Sequence, residues 1–459
     1  MRLLVSAALL LLSSPVLANT VLMDNQVHET VLDNGMKVIV KEDHRAPIMV
    51  SQVWYKVGAS YEPDGITGIS HALEHMMFKG TPSHPPGEFS RIIAANGGTE
   101  NAFTGRDYTA YFQTMSSDRL GIAFELEADR MRHLSLPAEE FAKEIEVVKE
   151  ERRLRTEDKP TGQLYEQFAA VAYRSLPYAN PVIGWMNDLD HLQVEDLADW
   201  YRLWYAPNNA TLVVVGDVDP KAVFDLAKKY FGPLKQERIP TLKPLREPPQ
   251  KGETRSVVKI PANEPYLVMG YKTPAMTTAQ RAWEPYALEM LAAILDGGNS
   301  ARFSKNLVRG SEVAVSAGAE YNAYTRLPGM LTLDGTPARG HSITDLEKAL
   351  REEITRLRSE PVPEEELERV RTQVIAAKVF ELDSVFYQAM QIGMLETIGL
   401  DWRVMDRYVE ALKQVTPEQV REVAQRYLTD ENLTVTRLDP LPIESGKSVR
   451  GSAGGRHGG

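Results

Sequence analysis

The feature that most limits how this chain can fold is a helix-then-strand pattern that occurs twice. Leu192-Gln193-Val194-Glu195-Asp196-Leu197 runs through Tyr205 into Asn209-Ala210-Thr211-Leu212. Val415-Thr416-Pro417-Glu418-Gln419-Val420 runs through Leu428 into Asn432-Leu433-Thr434-Val435 in the same order. A duplicated supersecondary unit implies two copies of one α/β plan. A length of 459 residues also exceeds what one hydrophobic core usually serves. Between the copies lie Pro233, Pro240, Pro244, Pro248 and Pro249, so residues 236–255 read as a stiff linker. The halves are then residues 19–235 and 256–442, followed by a Gly-, Ser- and Arg-rich tail over 443–459 that is expected to be disordered.

Within the first half, Val31 to Val40 is interrupted by Asp33-Asn34-Gly35, and Asn-Gly between apolar runs signals a hairpin. Val50 to Val57 alternates as a strand does. A loop and strand rich in Thr, Tyr and Phe follow through Thr104 and from Tyr108 to Thr114. From about Arg119 to Thr156 the period is helical, with Val147, Val148 and Leu154 expected on the apolar side. In the second half, Val257 to Ile260 and Tyr266 to Tyr271 read as strands, and Ala282 to Leu295 as a helix.

The N-terminus carries Arg2, an apolar run from Leu3 to Leu12, and Ser13-Ser14-Pro15-Val16-Leu17-Ala18. Residues 1–18 therefore read as an export signal cleaved after Ala18. No later segment is apolar enough to span a bilayer, so no membrane span is expected after cleavage. The net charge is −11, from 52 basic and 63 acidic residues, and no basic stripe appears, which argues against nucleic acid as a partner. There is no cysteine, so any metal must be held by histidine and carboxylate.

The chemistry concentrates in His71-Ala72-Leu73-Glu74-His75. Positions i and i+4 share a helix face, so both imidazoles can reach one ion. Two neutral imidazoles suit Zn²⁺, which takes a third protein ligand and keeps one open position. Glu74 is then placed to take a proton from water. The other histidines show no comparable spacing. The third ligand should be a carboxylate, and the stretch from Glu139 to Arg155 offers several. Glu144 and Glu151 lie two turns apart on one face, while Glu150 points about 100° away. An acidic helix of this kind is also what an ordinary solvated face looks like.

His71-x-x-Glu74-His75 followed by Glu144 and Glu151 resembles the inverzincin zinc peptidases. That family includes pitrilysin, insulin-degrading enzyme and mitochondrial processing peptidase. Its last glutamate falls about 76 residues after the second histidine, and Glu151 lies 76 residues after His75. The resemblance implies one Zn²⁺ per chain on His71, His75 and Glu151, with Glu74 as catalytic base and Glu144 supporting the site from outside. Asn101, Ala102, Phe103, Thr104 and Tyr108 resemble the family's edge strand, to which a peptide substrate would add. Pro207 to Asp217 resembles the closing strand of the first half. The likeness covers nearly all of residues 27 to 440 in the size and order of the short bacterial branch. The implied fold is α+β, with two homologous α/β halves, each a mainly antiparallel sheet with packed helices, arranged as a clamshell. With the export signal, the bacterial periplasm is the expected location, and peptides or unfolded polypeptides are the expected substrates.

One departure stands out. Active single-chain members carry an Arg-x₆-Tyr pair in the C-terminal half that binds the substrate carbonyl. Here those positions fall on Val308 and Val315, with Arg309 one residue off and the next tyrosine at Tyr321. The expectation is a zinc-bearing subunit of a heterodimer whose homologous partner supplies the pair. A self-sufficient homodimer and a non-catalytic peptide-binding subunit are the alternatives.

Overall fold

The computed structural model describes residues 27–443. The expected export signal, residues 1–18, lies outside them, as does the expected tail apart from its first residue. Among the described residues, eleven strands build two sheets. The first contains β1 (Val27–Val31), β2 (Lys37–Glu42), β3 (Ile48–Tyr55), β4 (Thr99–Thr104), β5 (Thr109–Ser116) and β6 (Ala210–Gly216), in the order β1-β2-β6-β3-β5-β4. The second contains β7 (Thr254–Pro261), β8 (Tyr266–Thr273), β9 (Ala314–Tyr321), β10 (Gly329–Pro337) and β11 (Leu433–Leu441), in the order β7-β11-β8-β10-β9.

The two orders superpose once β1 is set aside. Each sheet has one parallel pair, β2 with β6 and β7 with β11, and is otherwise antiparallel. The helix-then-strand repeat becomes helix Val194–Trp204 before β6 and helix Pro417–Tyr427 before β11. Both helices begin on a capping box, from Gln193 with Asp196 and from Thr416 with Gln419. The fold is therefore the expected α+β clamshell of two like halves. Residues 235–253, the proline-rich stretch, form no helix or strand. Asn34-Gly35 does turn β1 into β2.

The helical stretch from Arg119 onward differs from its reading. It is two helices, Leu120–His133 and Ala138–Arg152, because Pro137 cannot continue a helix and serves as the N-cap of the second. Five further residues, Arg153–Glu157, are wound as a π-helix. Of the three residues assigned to the apolar side, only Val148 is buried, whereas Val147 and Leu154 are exposed. The buried side is Phe141, Ile145 and Val148. These follow the spacing of four and three residues that one helix face requires.

The inner strands β2, β3, β6 and β8 are buried on both faces, as strands covered on two sides must be. In the first sheet, Val38, Val40, Val53, Leu212 and Val214 face one core, and Ile39, Val50, Trp54, Val213 and Val215 face another. The second face is covered by helix Val385–Thr397, which comes from the far end of the chain. Reciprocally, helix Pro160–Ala172 from the first half lies across β7, β8 and β11. Each half thus lends the other a helix. Both seats are tight: a Cβ at Gly393 on the first helix would strike the Trp54 ring, and one at Gly270 on β8 would strike Phe168 of the second. Ile392 and Leu395 are fully buried here, and each contributes roughly 1.5–3 kcal/mol by leaving water. Lys37 of β2 adds a polar clasp, with Nζ 2.9 Å from Glu396 Oε2 and 3.2 Å from Glu29 Oε2.

Candidate metal centre

Helix Ile69–Met76 carries the His-x-x-Glu-His run with one side in the core through Ile69, Ala72, Leu73 and Met76. Its N-terminus has no side-chain cap of its own. Instead Glu62 reaches in, and its two oxygens accept the amides of Gly68 at 2.7 Å and Ser70 at 2.8 Å. A carboxylate at a helix N-terminus is favourable, but full burial still pushes the Glu62 carboxyl up to about 7. Asp188 holds Thr67 just before the helix, through its amide at 3.1 Å and its hydroxyl at 2.6 Å.

The opposing wall is helix Ala138–Arg152. Glu151 Oε2 stands 3.3 Å from His75 Nε2 and 3.7 Å from His71 Nε2. Ligands about 2.1 Å from a tetrahedral ion stand about 3.4 Å apart, so these separations fit Zn²⁺. Among the described residues, His71, His75 and Glu151 are the one group of three or more potential ligands whose donor atoms lie within 4.8 Å of one another. Glu144 Oε1 pairs with His75 Nδ1 at 2.9 Å, which turns Nε2 toward the centre. The remaining oxygen of each carboxylate is taken by a cation. Lys79 Nζ lies 2.5 Å from Glu144 Oε2, and Arg155 Nη2 lies 2.5 Å from Glu151 Oε1. Nδ1 of His71 is buried without a hydrogen-bond partner.

Electrostatics follow from burial and these pairings. Burial and the neighbouring His75 lower His71 to about 4, so it is a neutral imidazole at pH 7. Burial works against a charge on His75, but its bonds to Glu151 and Glu144 outweigh that and raise it. The His75 contact holds Glu151 below the usual carboxylate range. Burial raises Glu74, and the Thr104 hydroxyl, which donates to Glu74 Oε2 at 2.5 Å, pulls the other way.

A cavity of about 560 Å³ opens over these groups, lined by His71, Glu74, His75, Glu151 and Arg155 together with Asn101 to Thr104 and Pro181 to Ile183. Asn101, Ala102, Phe103 and Thr104 lie on β4, the edge strand of the first sheet, as expected. Their roles divide. Thr104 binds Glu74, and Phe103 packs against Trp54 and Tyr108 with centroids 5.3 and 6.1 Å away. Glu150 points away and pairs with Arg153 at 3.2 Å. The sequence reading missed Glu62, Lys79 and Arg155. Lys79 was findable, since it stands four residues after His75.

In the second half, Val308 ends a π-helical turn and Val315 is an exposed residue of β9. Arg309 is tied to the carbonyls of Ser304 and Asn299, and the Tyr321 hydroxyl donates to Pro274 O at 2.7 Å. Neither residue occupies the register of an Arg-x₆-Tyr pair.

Two like α+β halves with a His-x-x-Glu-His helix in the first define a class of two-half peptidases. The chain belongs to the M16, pitrilysin-like peptidase family. The family model described as Insulinase (Peptidase family M16) matches residues 37–185, and that described as Peptidase M16 inactive domain matches residues 191–374. The chain is 38% identical over 296 residues to the zinc protease PqqE of Helicobacter pylori, covering 63% of this chain and 66% of that protein, just under two thirds of its length. It is 24% identical to the uncharacterized zinc protease YmxG of Bacillus subtilis, over 87% of this chain and 95% of that one. The crystal structure of a protease from Helicobacter pylori superposes with a TM-score of 0.85 at 30% identity, covering 90% of this chain and 99% of the other. The periplasmic protease PqqL of Escherichia coli shares the fold, with a TM-score of 0.77 at 18% identity over 91% of this chain and 48% of that one.

Proposed function

We propose that the chain is a zinc-dependent endopeptidase of peptides or unfolded polypeptides, with His71, His75 and Glu151 as metal ligands and Glu74 as the general base. The observation that carries this is the convergence of those three donors within 4.8 Å, beside the half-buried carboxylate of Glu74, in a cavity bordered by an edge strand. Zinc held there supplies Lewis-acid chemistry, polarising the scissile carbonyl and acidifying water. Glu74 takes the proton of the attacking water and passes it to the leaving amine. Thr104 holds one Glu74 oxygen and leaves the other for that water. The free edge of β4 gives the substrate backbone a strand to pair with, so recognition rests on main-chain hydrogen bonds more than on side chains.

The chain acts as the zinc-bearing subunit of a heterodimer. Val308 and Val315 leave the site without a donor for the developing oxyanion in cis, and a homologous partner with Arg-x₆-Tyr supplies it. Export to the periplasm is part of the same reading. It is supported by the apolar N-terminal run and by the named location of PqqL. The test is a peptidase assay on the purified chain with and without a homologous partner that carries the pair. Zinc-dependent cleavage that appears only in the mixture is the expected result. Full activity of the chain alone rejects the heterodimer, and no cleavage in either setting rejects the enzyme.

A further inference from the structure

No residue of the second half lines the metal cavity, yet one reaches two segments that hold it. Arg326 sits in the loop between β9 and β10. Its Nη2 donates to the Ser60 hydroxyl at 2.7 Å and to the Ser60 carbonyl at 3.0 Å. Its guanidinium lies over the Tyr61 ring, 4.2 Å from the centroid. Its backbone amide donates to Asp107 Oδ2 at 3.0 Å. Asp107 is 3% exposed, and it also accepts the Ser60 hydroxyl and the Tyr178 hydroxyl, each at 2.6 Å. The next residue, Leu327, gives its amide to the Tyr178 hydroxyl at 3.0 Å.

Both gripped segments lead to the metal site. Ser60 and Tyr61 run directly into Glu62, whose carboxylate holds the amides of Gly68 and Ser70 at the start of the His-x-x-Glu-His helix. Asp107 lies in the turn between β4 and β5, three residues after Thr104, which holds Glu74. A chain spans at most about 3.6 Å per residue, so each lever arm is short. We infer that Arg326 is a positioning residue of the metal site, by which the second half fixes both the helix bearing His71 and His75 and the strand that orients Glu74. Arg326 touches none of the reacting groups. It acts through Glu62 on one side and Thr104 on the other. The inference rests on the peptidase reading only for its kinetic consequence.

Lys37 provides the comparison, since it also joins the halves, and its partners Glu29 and Glu396 belong to neither gripped segment. The experiment compares Arg326→Ala, Arg326→Lys and Lys37→Met for amide hydrogen exchange, melting temperature, kcat and KM. In the metal-free protein, Arg326→Ala should speed exchange at Gly68 and Ser70 about tenfold or more, and Lys37→Met should leave those amides unchanged. In the zinc-loaded assembly, Arg326→Ala should lower kcat on the order of tenfold with KM within about twofold, because small misplacements of a base are costly. Arg326→Lys, which keeps the charge but not the fork, should recover part of both. If Arg326→Ala does not fold, Arg326→Lys carries the test by itself. Exchange and kcat in the arginine variants that match those of Lys37→Met at equal loss of melting temperature overturn the inference. A wild-type chain without zinc-dependent cleavage rejects the peptidase reading instead, while the exchange measurement still decides the role of Arg326.

Discussion

The two halves share a strand order but use the helix that follows the matching strands β3 and β8 in opposite ways. In the first half that helix is Ile69–Met76, and it turns His71, Glu74 and His75 toward a cavity. In the second it is Glu284–Asp296, in which Tyr286, Ala287, Leu288, Met290, Leu291, Ile294 and Leu295 are all buried in a continuous apolar core. The carboxylate nearest in kind to Glu74 is Glu289. It is sealed in against the Tyr408 hydroxyl, and burial raises it. One fold therefore hosts a polar site in one copy and a structural core in the other. Topology alone says nothing about chemistry, which lies in the side chains grafted onto it.

The comparison can be broken most decisively at Glu74. Glu74→Gln should cut turnover about 10²- to 10⁴-fold, the range for general acid–base groups, while metal content measured on the same sample stays near one ion per chain. Glu289→Gln should leave turnover unchanged in the same assay. A second contrast concerns stability. Leu291→Ala, at a fully buried position, should cost about 2–5 kcal/mol in denaturant unfolding and leave zinc affinity intact. Leu73→Ala, equally buried under the metal-motif helix, should cost a similar amount and weaken zinc as well.

The pH dependence of stability should carry the mark of Glu62. Its carboxyl sits at about 7 in the fold, above its ordinary 4.5. The folded state thus holds a proton that the unfolded chain has lost. The stability this contributes is complete below pH 4.5 and is lost as pH rises to 7, amounting to roughly 3 kcal/mol. Glu62→Gln should flatten that part of the curve, and an unchanged slope between wild type and variant would contradict the assignment. The smallest expected effect is at Glu144. Glu144→Gln removes the charge that turns His75, and chelator competition should find zinc affinity lower by about 10- to 100-fold, with the fold unaltered.

Much of this was legible in the chain. The strands of the first half, β7, β8 and β11 of the second, the Asn34-Gly35 turn and the repeated helix-strand unit are local patterns, and local patterns survive folding, whereas β9 and β10 went unread. The pairing of His71 and His75 was legible because helical spacing fixes which side chains share a face, whereas Glu144 and Glu151 were picked out of an acidic helix only by the resemblance to the inverzincins. What escaped was set at long range. Pro137 splits a helical pattern that periodicity alone runs together, and the exposure of Val147 and Leu154 depends on which neighbours the helix finds. Arg326 grips Ser60 and Asp107 from a loop of the second half, and no spacing rule announces such a partner. Nor can sequence order say that helix Val385–Thr397 covers the first sheet or that Pro160–Ala172 covers the second.

That last arrangement bears on how the molecule comes apart. Severed within residues 235–253, each fragment would leave one face of its own sheet bare while carrying the helix that belongs on the other. Neither could reach its final form alone, and denaturation of one should take the other with it in a single transition. A protein read as two domains along its chain would then behave, in the calorimeter, as one.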